Sequence, residues 1–126
     1  MLRISRKDYG DITVLELEGS MSMGNVISGP SSFRGTMDAL IQAKRTKIVL
    51  MYQGVPYQDS SGNGEIVSAF TKVRNAGGTL VFVGLTQKIS DLFEITKLAK
   101  VFQVFDTLED ALSCFGSKKD SVDEPK

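Results

Sequence analysis

The chain has 126 residues, enough for one domain to bury a core without disulfides or metals, and its fifteen basic residues balance fifteen acidic ones, so nothing marks a nucleic-acid footprint or a polybasic membrane patch. Histidine is absent, which excludes Ser-His-Asp triads, Cys-His dyads and His-ligated zinc. The single cysteine, Cys114, can make neither an internal disulfide nor a four-thiolate zinc site, so neither a metal nor another cofactor is expected. No apolar run approaches the roughly 20 residues that span a bilayer, and residues 1–7 lack the apolar core of a signal peptide. The expectation is therefore a cytoplasmic protein with no membrane insertion and no nucleic-acid partner.

Residues 2–6 and 11–18 read as two strands joined by a turn at Lys7-Asp8-Tyr9-Gly10, a β-hairpin. In the second strand Ile12, Val14, Leu15 and Leu17 mix with Glu16 and Glu18, a pattern that suits partial exposure. Residues 19–30 carry Gly19, Gly24, Gly29 and Pro30 and read as a loop. A helix over 31–43 opens at Pro30 or Ser31 and lines up Phe33, Met37, Leu40 and Ile41. Residues 48–52 form a continuous apolar run, as in a strand buried on both faces. Residues 64–75 place Ile66, Ala69, Phe70 and Val73 on one helical face, and Gly77-Gly78 follow as the stop. A second buried strand covers 80–83, a helix 87–97, and a short strand 101–105. Thr107-Leu108-Glu109-Asp110 resembles a capping box opening a helix that buries Leu108, Ala111, Leu112 and Phe115. The order β-β-α-β-α-β-α-β-α argues for an α/β fold with a largely parallel sheet. Residues 1–116 are expected to form the single domain, and 117–126 a polar, disordered tail.

In such sheets recognition chemistry gathers at the carboxyl ends of strands, where helices begin. Gln58-Asp59-Ser60-Ser61-Gly62-Asn63-Gly64 occupies one such junction, and it reads as a turn that presents a phosphorylatable serine to a partner protein. A helix's first turn tolerates an anion, and Gly62 and Gly64 let the backbone come close to whatever sits there. A phosphoryl group would add about −1.5 to −2 charges to a surface that a partner had fitted in its neutral form. Asp and Ser are also the commonest helix caps, so a purely local capping role stands beside the functional one. Gly62-Asn63-Gly64 lacks the remaining residues of a phosphate-binding P-loop. Asp59 has no partner carboxylate at a defined spacing. Met21 and Met23 suit a core gap, Cys114 suits an inert structural place, and Ser20, Ser22, Ser31 and Ser32 suit solvated positions.

Asp59-Ser60-Ser61-Gly62, followed by Gly64 and an amphipathic helix, resembles the signature of STAS domains, the bacterial anti-sigma factor antagonists and their relatives. The resemblance runs from Thr13-Val14-Leu15 to Phe115. It includes the stretches 76–84 and 92–98, and Val101-Phe102-Gln103-Val104-Phe105 with the helix after it. It implies a four- to five-stranded mixed sheet with an N-terminal hairpin and helices packed mainly on one face. It implies a substrate and switch in place of an enzyme. The unphosphorylated protein would capture an anti-sigma factor that is also a serine kinase, freeing a sigma factor and so indirectly controlling transcription. That kinase would phosphorylate Ser60, with Ser61 the lesser candidate, and a metal-dependent serine phosphatase would reset it. The implied partner-binding surface comprises Ser22, Met23, Asp59, Ser60, Ser61, Gly62, Asn63, Gly64 and Val67 on a monomer or weak dimer. Three positions depart from the usual pattern: Ser22 stands where an aspartate is common, Met51 where Asp or Asn is common, and Asn63 where an aliphatic residue is usual. These departures keep open a non-switching interaction module in a signalling or lipid-transport complex. A small-molecule or nucleotide binder is the third class.

Overall fold

The computed structural model describes residues 2–22 and 32–116. Strand β1 (Arg3–Tyr9) pairs antiparallel with β2 (Ile12–Glu18), and β3 (Lys47–Gly54), β4 (Thr79–Val83) and β5 (Gln103–Phe105) follow in parallel. The sheet order is β1-β2-β3-β4-β5. Among the described residues four α-helices punctuate it: α1 (Phe33–Gln42), α2 (Ser60–Asn75), α3 (Gln87–Ile95) and α4 (Leu108–Gly116). The mixed α/β sheet with an N-terminal hairpin is thus present with five strands.

Side-chain alternation along the strands builds two cores. Leu15, Leu17, Ile48, Leu50, Tyr52, Leu80 and Phe82 face α1, α2 and α3, which contribute Phe33, Met37, Leu40, Ile66, Ala69, Val73, Ile89 and Phe93. Ile12, Val14, Val49, Val81 and Val83 face the other way, onto Ala111 and Phe115 of α4. The continuous apolar runs in β3 and β4 follow from this cover on both faces. Phe82 sits at the centre of the larger core, with the rings of Tyr52, Phe93 and Phe102 at 5.3, 5.6 and 4.9 Å between centroids. Thr107 caps α4, its hydroxyl accepting from the Asp110 N–H at 3.1 Å.

Several boundaries differ from expectation for identifiable reasons. β1 runs on to Tyr9, and the turn is the two residues Gly10-Asp11. Gly10 adopts φ +65°, which a two-residue hairpin turn needs at its first position. Arg45 pins that turn by donating to the Gly10 carbonyl at 3.0 Å and to the Thr13 hydroxyl at 2.8 Å. β2 is an interior strand, buried from Ile12 to Leu15, and only Glu16 and Glu18 reach solvent. α1 starts at Phe33 with Ser32 as its cap, accepting from the Gly35 N–H at 3.1 Å. The expected openings at Pro30 or Ser31, most of the 19–30 loop and the 117–126 tail lie outside the described residues.

Truncating the central ring tests this packing. Phe82→Ala should lower the unfolding free energy by about 3–5 kcal/mol, read from the urea midpoint at unchanged m-value.

Candidate functional site

The site grows from the carboxyl end of β3. Beyond that strand the chain crosses residues 55–58 and meets the segment that leaves β2. The Gly19 N–H donates to the Gly54 carbonyl at 2.9 Å, Met21 N–H to Tyr57 at 3.0 Å, and Asp59 N–H to Met21 at 3.1 Å. Met21 and Gln58 form an isolated parallel bridge, so the β2–β3 ladder is in effect carried past the sheet to the start of α2. The Met21 side chain is wholly buried, in the core place its residue type suggested.

Helix α2 begins at Ser60, one turn earlier than the apolar periodicity indicated. Asp59 is the N-cap, its carboxylate accepting from the Gly62 N–H at 2.9 Å. The first helical bond runs from Asn63 N–H to the Asp59 carbonyl at 2.9 Å. Gly62 and Asn63 therefore sit inside the first turn and not in a loop. A Cβ on Gly62 would lie 1.9 Å from the Met21 carbonyl oxygen, so the helix can seat here only without a side chain. Gly64 is different: a Cβ there would meet nothing within 4 Å. The expectation that both glycines open a close approach holds for Gly62 alone, and what approaches is the protein's own backbone.

This seating sorts the predicted residues. Ser60 is exposed at the first helical position, while Ser61 is half-buried and Gly62 buried. Gly64 and Val67, four and seven residues after Ser60, share its exposed face, with Val67 38% exposed. Asn63, three residues on, flanks it. Ser22 leaves Met21 in the same direction as Asp59 leaves Gln58, since the bridge is parallel. Met23 lies outside the described residues. Met51 packs in the α4 layer, on the opposite face of the sheet from α2.

Two features escaped sequence inspection. The first is a buried polar relay. The Tyr52 hydroxyl donates to Gln58 Oε1 at 2.6 Å, and Gln58 Nε2 donates to Asn63 Oδ1 at 3.0 Å. Burial pushes the Tyr52 hydroxyl far above the usual phenol range, so it remains a protonated donor. No local motif marks this relay, because its members stand on a strand, a connection and a helix. The second is a groove of about 300 Å³ between residues 57–58 and α3, lined by Tyr57, Lys88, Leu92 and Ile95 among others. Ile95 is 79% exposed, and Tyr57, 47% exposed, carries the Lys88 ammonium 5.9 Å from its ring centroid. The helical periodicity of 87–97 directs attention to the buried Ile89 and Phe93, and so hides this outer apolar edge.

Ion pairs also bridge α1 and α2, Arg34 with Glu65 and Lys72 with Asp38. Among the described residues no cluster of His, Cys, Asp and Glu could hold a metal ion, and no helix is long and apolar enough to cross a membrane.

This sheet and its β3–α2 junction have relatives among known proteins. The STAS domain family matches residues 3–111, and the chain belongs to that family. The anti-sigma-B factor antagonist of Listeria monocytogenes is 40% identical over 50 residues, 40% of this chain and 44% of that protein, so the chain matches less than half of that relative's length. The anti-sigma F factor antagonist of Paenibacillus polymyxa is 23% identical over 113 residues, 89% of this chain and 93% of that one. The phosphorylated form of the Bacillus cell fate determinant SpoIIAA shares the fold with a TM-score of 0.70 at 16% identity, over 90% of this chain and 99% of that chain.

The two glycines of the first turn should respond oppositely to alanine. Gly62→Ala should destabilise the protein by about 1–3 kcal/mol, the usual cost of forcing atoms into occupied space. Gly64→Ala should stabilise it by up to about 1 kcal/mol through helix propensity. Parallel chemical denaturation of the two variants measures both signs.

Proposed function

We propose that this protein is an anti-sigma factor antagonist, switched off by phosphorylation of Ser60. The observation that carries the reading is the seating of Ser60: an exposed hydroxyl on a helix turn fixed from behind by Asp59, Gly62 and Met21. A kinase can reach this oxygen, and the half-buried Ser61 is the poorer acceptor. In the reaction, Ser60 Oγ takes the γ-phosphoryl group of ATP, ADP leaves, and the hydroxyl proton is released. The added charge of about −1.5 to −2 falls beside the uncharged Gly64, Val67 and Asn63 and next to the capping carboxylate of Asp59.

The names of the relatives support this reading, as does the existence of a phosphorylated SpoIIAA of the same fold. The partner is then an anti-sigma factor with serine kinase activity, and a metal-dependent serine phosphatase reverses the modification. The protein itself acts in the cytoplasm as a monomer or weak dimer, is a substrate without catalytic residues of its own, and controls transcription indirectly. Ser22, Met23, Asp59, Ser61, Gly62, Asn63, Gly64 and Val67 complete the contact surface around Ser60. The exposed apolar groove at Tyr57 and Ile95 favours a second reading, a module that docks constitutively whatever the charge on Ser60.

With its cognate kinase and ATP, the protein should gain one phosphate by intact mass, and Ser60→Ala should gain none. Ser60→Asp should weaken kinase binding at least tenfold by calorimetry, equivalent to about 1.4 kcal/mol. Equal affinity of the wild-type protein before and after kinase treatment would reject the switch in favour of constitutive docking.

A further inference from the structure

We infer that Asn63 is a hydrogen-bond donor to the phosphoryl group carried by Ser60, aimed by the buried Tyr52–Gln58 pair. The inference rests on the reading of Ser60 as the phosphoacceptor. Its physical basis is the polarity of the relay. A carboxamide offers an acceptor at one end and donors at the other, and a chain of two carboxamides has two possible directions. Tyr52 selects one. Its hydroxyl is fully buried, and a buried O–H without an acceptor is costly, so its hydrogen goes to the group it touches, the Gln58 carboxamide at 2.6 Å.

Gln58 therefore presents Oε1 to Tyr52 and turns Nε2 toward Asn63, where it donates to Oδ1 at 3.0 Å. The N–H₂ end of Asn63 is then directed away from Gln58, at a half-exposed position. In the reverse direction the Tyr52 hydrogen would have no acceptor among the described residues.

Asn63 follows Ser60 by three positions on α2, so the two side chains are helix neighbours, about 5–6 Å apart at Cβ. A phosphoryl group on Ser60 brings three strong acceptor oxygens into that space. From residue 60 to residue 65, Asn63 is the one side chain bearing N–H groups. Arg34 on the neighbouring helix is held by Glu65, and Lys72 by Asp38. An aliphatic residue at 63 would leave the phosphoryl group without this donor. The polar side chain thus acts as a positioning residue for the modified state: it fixes where the phosphoryl oxygens point and so what the partner meets.

The test uses the full chain with phosphoserine placed at position 60 by genetic code expansion, so no kinase is required. The Asn63 side-chain N–H₂ resonances should move downfield relative to the unmodified protein, and those of Gln58 should stay in place. Because a hydrogen bond to the dianion lowers its pKa, the second ionisation of the phosphoserine, followed by ³¹P shift against pH, should rise by about half a unit in Asn63→Leu. Tyr52→Phe removes the group that sets the polarity and should move it in the same direction. Titration of Asn63→Leu together with the wild-type protein, or a response at Gln58 in place of Asn63, would overturn the role of Asn63. If a variant unfolds, the wild-type amide shift decides alone. A kinase that ignores Ser60 would instead sink the switch reading and leave this measurement intact.

Discussion

The contact between Gly62 and the Met21 carbonyl governs the geometry of the whole β3–α2 junction. The first turn of α2 rests directly on the backbone that leaves β2, with no side chain between them. Three backbone hydrogen bonds, from Gly19, Met21 and Asp59, tie the two segments together on the same side. Ser60 is therefore located by main chain against main chain. Such a joint has little rotamer freedom, and the position of the hydroxyl follows from the position of the sheet. Glycine at 62 serves this approach, and Asp59 satisfies the helix donor that the approach leaves exposed.

The helix layers divide their work. On one face α1, α2 and α3 share a core in which Phe82, Tyr52, Phe93 and Phe102 meet edge to face or tilted. On the other face α4 covers the valines of β2, β3 and β4. In the α1–α2 ion pairs Arg34, Lys72 and Asp38 are open to solvent screening, so apolar burial and not charge fixes the helices in place. Tyr52 links the two themes, since its ring belongs to the aromatic core while its hydroxyl starts the polar relay toward the first turn of α2. The first turn of α2 is thus joined to the core by a polar route through Tyr52 as well as by the apolar packing of Ile66 and Ala69.

Much of this architecture was legible in the sequence. The runs in β3 and β4 announce strands covered on both sides, and the Asp-Ser-Ser-Gly junction marks where α2 departs. The misreadings have physical causes. Lys7, Asp8 and Tyr9 show no alternation because β1 is an edge strand whose residues are almost all exposed, so only pairing to β2 reveals them as strand. Apolar periodicity puts the start of α2 one turn late because Gly62 and Gly64 are poor helix formers, a preference that the Asp59 cap and the seat on Met21 override. Ser60 could be picked out from its place after Asp59, but its exposure relative to Ser61 follows only from the helix phase. Tyr52, Gln58 and Asn63 could not be associated at all, being separated by a strand end and a connection. Met51, which stands where Asp or Asn is common, lies on the opposite face of the sheet from α2.

The order of strands in the sheet is also their order in the chain. Each new strand consequently docks on the one completed just before it, and no later segment must be inserted between two earlier ones. Each strand pairing therefore closes one connection between chain neighbours, and the β1–β2 hairpin closes the shortest of them. The bridge between Met21 and Gln58 prolongs the β2–β3 ladder. Without the paired third strand the chain has the Ser60 hydroxyl but not the seat on Met21 that fixes it, so the geometry around Ser60 belongs to the folded ladder alone.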